Sequence, residues 1–135
     1  MGRAARVRPD ETVLTLAADP ASATRARHAA VALADELGAS RDTRADIAVA
    51  VTEAVANVVV HAYRGVAPSG VEIALAGDER ALEVEVRDRG VGLHPRDDSP
   101  GLGLGLGLMA ELADAFEVAD RDGGGTCIRL RFALP

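Results

Sequence analysis

Three groups of residues in this 135-residue sequence combine polar or glycine positions at spacings that could do chemistry. The first lies in Thr52–Tyr63 (TEAVANVVVHAY), where Glu53, Asn57 and His61 recur at steps of four and fall on one stripe of a helix. Ile47, Val51, Val55, Val58 and Val59 make the rest of that helix apolar, and burying a carboxylate and an amide without partners costs several kcal/mol. The stripe therefore either faces water or lines a site that supplies partners. Ala50, Ala54 and Ala56 beside it are short where a solvated face would carry long charged side chains, which leaves room for a ligand. The second group is Asp88-Arg89-Gly90-Val91-Gly92, a carboxylate at a strand end followed by two glycines. Such a carboxylate can accept a hydrogen bond from an exocyclic amino group such as that of adenine, and glycine lets backbone approach a flat ligand; an ordinary strand-to-loop turn has the same composition. In the third group glycine and leucine alternate from Gly101 to Leu108, followed by Met109. Glycine at every second place suits a sheet poorly. The better account is a glycine-rich loop running into a helix start, where free N–H groups and the helix dipole favour phosphate and the leucines anchor the helix in the core. A flexible hinge is the alternative. The sequence has no lysine, which excludes a Walker-type P-loop.

The elements that must position these groups follow from pattern. Residues 1–10 carry no periodicity and read as a flexible tail. ETVLTLA (11–17) reads as a strand, and Ser22 as the N-cap of a helix running to Leu37 with Gly38 as its stop. Ser40 or Asp42 opens a longer helix that ends near Tyr63. Val71, Ile73 and Leu75, and then Leu82, Val84 and Val86, alternate with other residues as in half-buried strands, joined by a turn at 77–80. A loop over 89–102 leads into a third helix ending near Asp114, and strands 116–120 and 126–133 close the chain. The order β-α-α-β-β-α-β-β predicts an α+β fold, a two-layer sandwich whose mixed, mostly antiparallel sheet is covered on one face by three helices.

Composition narrows the partners. Fifteen basic and 21 acidic residues give a net charge of −6, and aromatic residues are only 2%. An acidic chain with no basic stripe and almost no stacking surface argues against nucleic acid. No uninterrupted apolar run reaches about 18 residues, so no membrane span is expected. The single cysteine, Cys127, cannot form an internal disulfide, and a cytoplasmic, single-domain protein is the expectation.

The three groups in this order, with the closing GGTCIRLRF containing Gly124-Gly125-Thr126, resemble the ATP-binding domain shared by gyrase, histidine kinases and MutL, the Bergerat fold. More narrowly the chain is similar to the small bacterial anti-sigma-factor serine kinases, over roughly residues 11–133. The resemblance implies one ATPase-type domain over 11–135, with ATP and Mg²⁺ as cofactors. It implies Asn57 as the Mg²⁺ ligand, Glu53 as general base or as the group that orients the attacking one, Asp88 as the reader of the adenine amino group, and Gly90 and Gly92 as shaping the adenine pocket. It further implies Gly101, Gly103, Gly105, Gly107 and Leu108 around the phosphates and Thr126 supporting the adenine. The implied activity is phosphorylation of an anti-sigma factor antagonist on serine, with sequestration of a sigma factor and homodimerisation. A nucleotide-binding regulatory module without turnover, and a scaffold without ligand, are the competing readings. His61 reads as structural.

Overall fold

The computed structural model describes residues 11–63, 69–90 and 105–134. The 1–10 tail, Gly92, Gly101 and Gly103 therefore lie outside the described residues. The elements are β1 (Thr12–Leu16), α1 (Ala21–Glu36), α2 (Arg41–Asn57), a π-helical turn (Val58–Ala62), β2 (Val71–Gly77), β3 (Ala81–Asp88), α3 (Leu106–Leu112), β4 (Ala115–Asp120) and β5 (Thr126–Ala133). This is the expected order. The strands form one sheet in the order β1-β2-β3-β5-β4, antiparallel in every ladder.

Register sorts the side chains onto two faces. Ile73, Val86 and Ile128 stand side by side across β2, β3 and β5, as do Leu75, Val84 and Leu130. This face packs on the helices around fully buried Ile47, Val51, Val55 and Val58. The opposite face carries paired charges. Glu85 accepts from Arg87 at 3.1 Å and from Arg129 at 3.2 Å. Arg87 also reaches Glu11 at 3.0 Å, and Arg129 reaches Glu117 at 3.3 Å. Burial pushes the Glu85 carboxyl up, but Arg87 and Arg129 outweigh it and hold the carboxyl below its usual range. Burial and the neighbouring Glu85 push the Cys127 thiol up to about 11, so it stays protonated near neutral pH.

Several local expectations change. The first turn of α1 is held by Asp19, whose Oδ1 accepts from the Ala21 N–H at 2.9 Å. Ser22 instead lies buried inside the helix and donates to the Ala17 carbonyl at 2.6 Å. Ser40 caps α2 by accepting from the Thr43 N–H at 3.1 Å. Ala50 and Ala54 leave no room for a ligand: both are fully buried in the core, as are Ala26, Ala30 and Ala34 on α1. These small side chains let helices approach closely. Arg41–Ala62 spans 22 residues with a mean hydropathy of 1.5 in its most apolar stretch, long and apolar enough by composition to cross a membrane. In this fold its apolar side is occupied by the core.

Candidate nucleotide-binding site

The helix that carries the first motif is the spine on which the others meet. Glu53 is half-buried and Asn57, one turn on, is 3% exposed. After Asn57 the helix widens into the π turn, a distortion often found at functional sites. His61, half-buried, lies within the π turn four residues beyond Asn57.

The second motif docks on the end of this π turn. Gly90 lies so close to the Ala62 carbonyl that any Cβ there would overlap it, so only glycine fits. Tyr63 ties the same regions together, since its hydroxyl donates to the Gly70 carbonyl and accepts from the Arg89 N–H at 3.2 Å. Asp88 ends β3 and is 2% exposed. Its Oδ1 accepts from the Gly90 N–H at 2.8 Å, while Oδ2 is buried without a hydrogen-bond partner. Burial raises the Asp88 pKa, against the N–H groups of Gly90 and Thr126 and the charge of Arg121.

The third motif meets Glu53. Gly105 stands at the N-terminus of α3 with φ +65°, and a Cβ there would come within 2.5 Å of Glu53 Oε2. Gly107 falls inside α3 rather than on a loop, and a Cβ added to it meets nothing within 4 Å. Leu108 is 39% exposed, and α3 is anchored in the core by fully buried Met109 with part-buried Leu106 and Leu112. The closing segment completes the floor. Thr126 opens β5, 1% exposed, with its backbone N–H on the Asp88 carboxylate. Gly125 packs directly on the Asp88 carbonyl, too close for a side chain.

Glu53, Asn57, Asp88, Gly90, Gly105 and Thr126 thus belong to one contiguous framework, while Gly107 and Leu108 lie on its exposed side. Sequence reasoning missed Tyr63, whose position as the sole tyrosine at the end of the first motif was a signal. It also missed Arg121, for which no signal existed. An orphaned buried carboxylate oxygen beside glycine-only backbone suits a flat ligand that donates a hydrogen bond. One buried amide oxygen at Asn57 suits Mg²⁺, which keeps waters and takes most of its other ligands from phosphates. Among the described residues no group of three or more His, Cys, Asp or Glu side chains could hold a metal by itself.

An α+β sandwich with its motifs gathered on one helix defines the class, and the comparison with known families agrees. The chain belongs to the histidine kinase-like ATPase domain family, which it matches over residues 16–132. Among particular relatives it is similar to the anti-sigma F factors of Bacillus thuringiensis (strain Al Hakam) and Bacillus cereus (strain AH187). To each it is 29% identical over 116 residues, covering 78% of this chain and 80% of the relative. Its fold is similar to the crystal structure of the RsbU and RsbW domains of Rv1364c from Mycobacterium tuberculosis, with TM-score 0.72 and 26% identity over 96% of this chain. The chain spans 34% of that longer protein. The SiaB–SiaC complex of Pseudomonas aeruginosa shares the fold at TM-score 0.57 and 14% identity, covering 91% of this chain and 89% of that one.

Proposed function

We propose that this chain binds Mg·ATP and acts as a protein serine kinase that phosphorylates an anti-sigma factor antagonist and sequesters a sigma factor, as a cytoplasmic homodimer. The observation that carries the nucleotide reading is Asp88 Oδ2, a buried carboxylate oxygen with no partner, for which the exocyclic amino group of adenine is a fitting donor. The protein partners come from the anti-sigma factors to which the chain is similar.

The roles follow from chemistry and placement. Asp88 accepts from the purine amino group, Gly90 lets the backbone lie close, and Thr126 supports the purine edge. Asn57 would hold Mg²⁺, which when bound neutralises phosphate charge. Gly105 stands beside Glu53 on the phosphate side, with Gly107 and Leu108 behind it on α3 and Gly92, Gly101 and Gly103 elsewhere in the same motifs. Phosphoryl transfer depends on positioning and charge stabilisation more than on covalent participation. Glu53 accepts the proton of the attacking serine hydroxyl while its oxygen bonds to the γ-phosphorus and the bond to ADP breaks.

Calorimetry with Mg·ATP on the wild type and Asn57→Ala, paired with transfer assays on Glu53→Ala, tests this reading. The expected result is nucleotide affinity that drops in Asn57→Ala, and transfer lost in Glu53→Ala while ATP still binds. Binding without transfer to any serine-bearing antagonist would favour the regulatory module; no binding at all would remove the nucleotide reading.

A further inference from the structure

The β4–β5 turn is joined to the end of β3 by two hydrogen bonds that mirror each other. Arg121 Nη1, in the turn, donates to the Asp88 carbonyl at 3.0 Å, and Arg89 Nη1, next to Asp88, donates to the Asp122 carbonyl at 3.1 Å. The turn is itself closed by the Arg121 N–H on the Gly125 carbonyl and the Gly124 N–H on the Arg121 carbonyl. Gly125 lies directly on the Asp88 carbonyl. Arg121 is also held from its far side, because its Nη2 reaches Glu72 of β2 at 3.5 Å.

On its β2 side Asp88 is still held in the sheet, paired with Val71, but on its β5 side it is not. The β3–β5 ladder ends at the pair Arg87–Cys127, one residue before Asp88. The Asp88 side chain is short; its Oδ1 accepts from an amide two residues on, and its carboxylate takes the Thr126 N–H at the start of β5. A rotation of the 88–89 peptide would swing Gly90 and move Oδ2 with it. Fixing the carbonyl of that peptide steadies the Gly90 N–H that holds Oδ1, and with it the carboxylate.

We infer that Arg121 and Arg89 form a reciprocal clasp that positions Asp88, making Arg121 a positioning residue that sets selectivity for a 6-aminopurine nucleotide. The inference rests on the adenine assignment proposed above. Arg121 touches no nucleotide in this scheme; it holds the Asp88 main chain, and its charge bears on the Asp88 carboxylate. Its loss should therefore weaken only the part of binding that comes from the amino group. A general loosening of the fold would weaken every nucleotide alike.

The test measures binding of Mg·ATP and of the magnesium complex of purine riboside triphosphate, which lacks the amino group, to the wild type, Arg121→Ala, Arg121→Lys and Arg89→Ala. The wild type should prefer ATP. Arg121→Ala should lose about tenfold in ATP affinity, one hydrogen bond's worth of positioning, with purine riboside triphosphate changed less than about twofold, so that the preference collapses. Arg121→Lys, which keeps a donor, should recover most of it. Arg89→Ala alters an exposed side chain and should show the same loss in smaller measure, which keeps the inference testable should Arg121→Ala fail to fold. Equal weakening toward both nucleotides, or an ATP preference that survives intact in Arg121→Ala and Arg89→Ala, would overturn the clasp while leaving the adenine site standing. A wild type with no preference between the two would remove the adenine reading and this inference together.

Discussion

Asp88→Asn should move stability and affinity in opposite directions. Asparagine keeps the shape of the side chain and the acceptor for the Gly90 N–H, but places an amide nitrogen where Oδ2 lies buried without a partner. Burial raises the folded-state pKa of Asp88 above its ordinary value of 3.8. A raised pKa means that the fold disfavours the ionised carboxylate, a penalty in force above the folded-state pKa and gone below the unfolded one. Near neutral pH the neutral amide removes that penalty. The nucleotide-free variant should be more stable and melt higher. With ATP bound, the same exchange sets a donor against the donating amino group. A hydrogen bond to a charged acceptor, about 1.5–3 kcal/mol, is lost. That amounts to roughly a 10–10²-fold loss of affinity. Thermal unfolding without nucleotide and calorimetry with Mg·ATP read the two effects separately. ATP affinity within about threefold of wild type would refute the assignment of Oδ2 to the purine. A lower melting temperature would refute the account of an unsatisfied buried charge.

Two further outcomes follow from geometry. Gly105→Ala puts a Cβ into the space of the Glu53 carboxylate at a φ of +65°, so single-turnover transfer should slow at least about tenfold, with the loss larger in kcat than in ATP affinity. Arg87→Met strips Glu85 and Glu11 of a shared buried partner and should cost about 3 kcal/mol by denaturant unfolding. Because the Glu85 carboxyl is held below its ordinary value of 4.5, its contribution is present above the unfolded pKa and is lost as pH falls through the folded one. The wild type should therefore lose stability across that acidic window, and Arg87→Met should lose less there.

Most of the fold was legible because β2, β3 and β5 alternate cleanly and Gly38 and Ser40 punctuate the first two helices. What escaped depends on contacts between distant residues. Asp19 rather than Ser22 holds the start of α1 because a side-chain rotamer decides between two nearby acceptors. Small residues at 50 and 54 read equally as ligand space or as helix contact, and α1 and the sheet settled it. The π turn leaves no periodic trace, since the same valines continue an ordinary helix. Glu53, Asn57, Asp88 and Gly90 could be selected by type and spacing. Arg121 could not, because only the neighbour order β3-β5-β4 carries residue 121 to residue 88.

That neighbour order also sets a schedule for assembly. The strand formed from the latest part of the sequence, β5, is inserted between two earlier ones and supplies Gly125 and Thr126 beneath Asp88. During synthesis, β3 and β4 have no mutual ladder to form, and their long-range pairing waits for residues 126–133. A nascent chain that has not yet delivered β5 holds the first three motifs but lacks Gly125 and Thr126, the floor of the purine site proposed above. On that proposal nucleotide rewards only the finished sheet, and ATP would be a late ligand that selects completed molecules over partly folded ones.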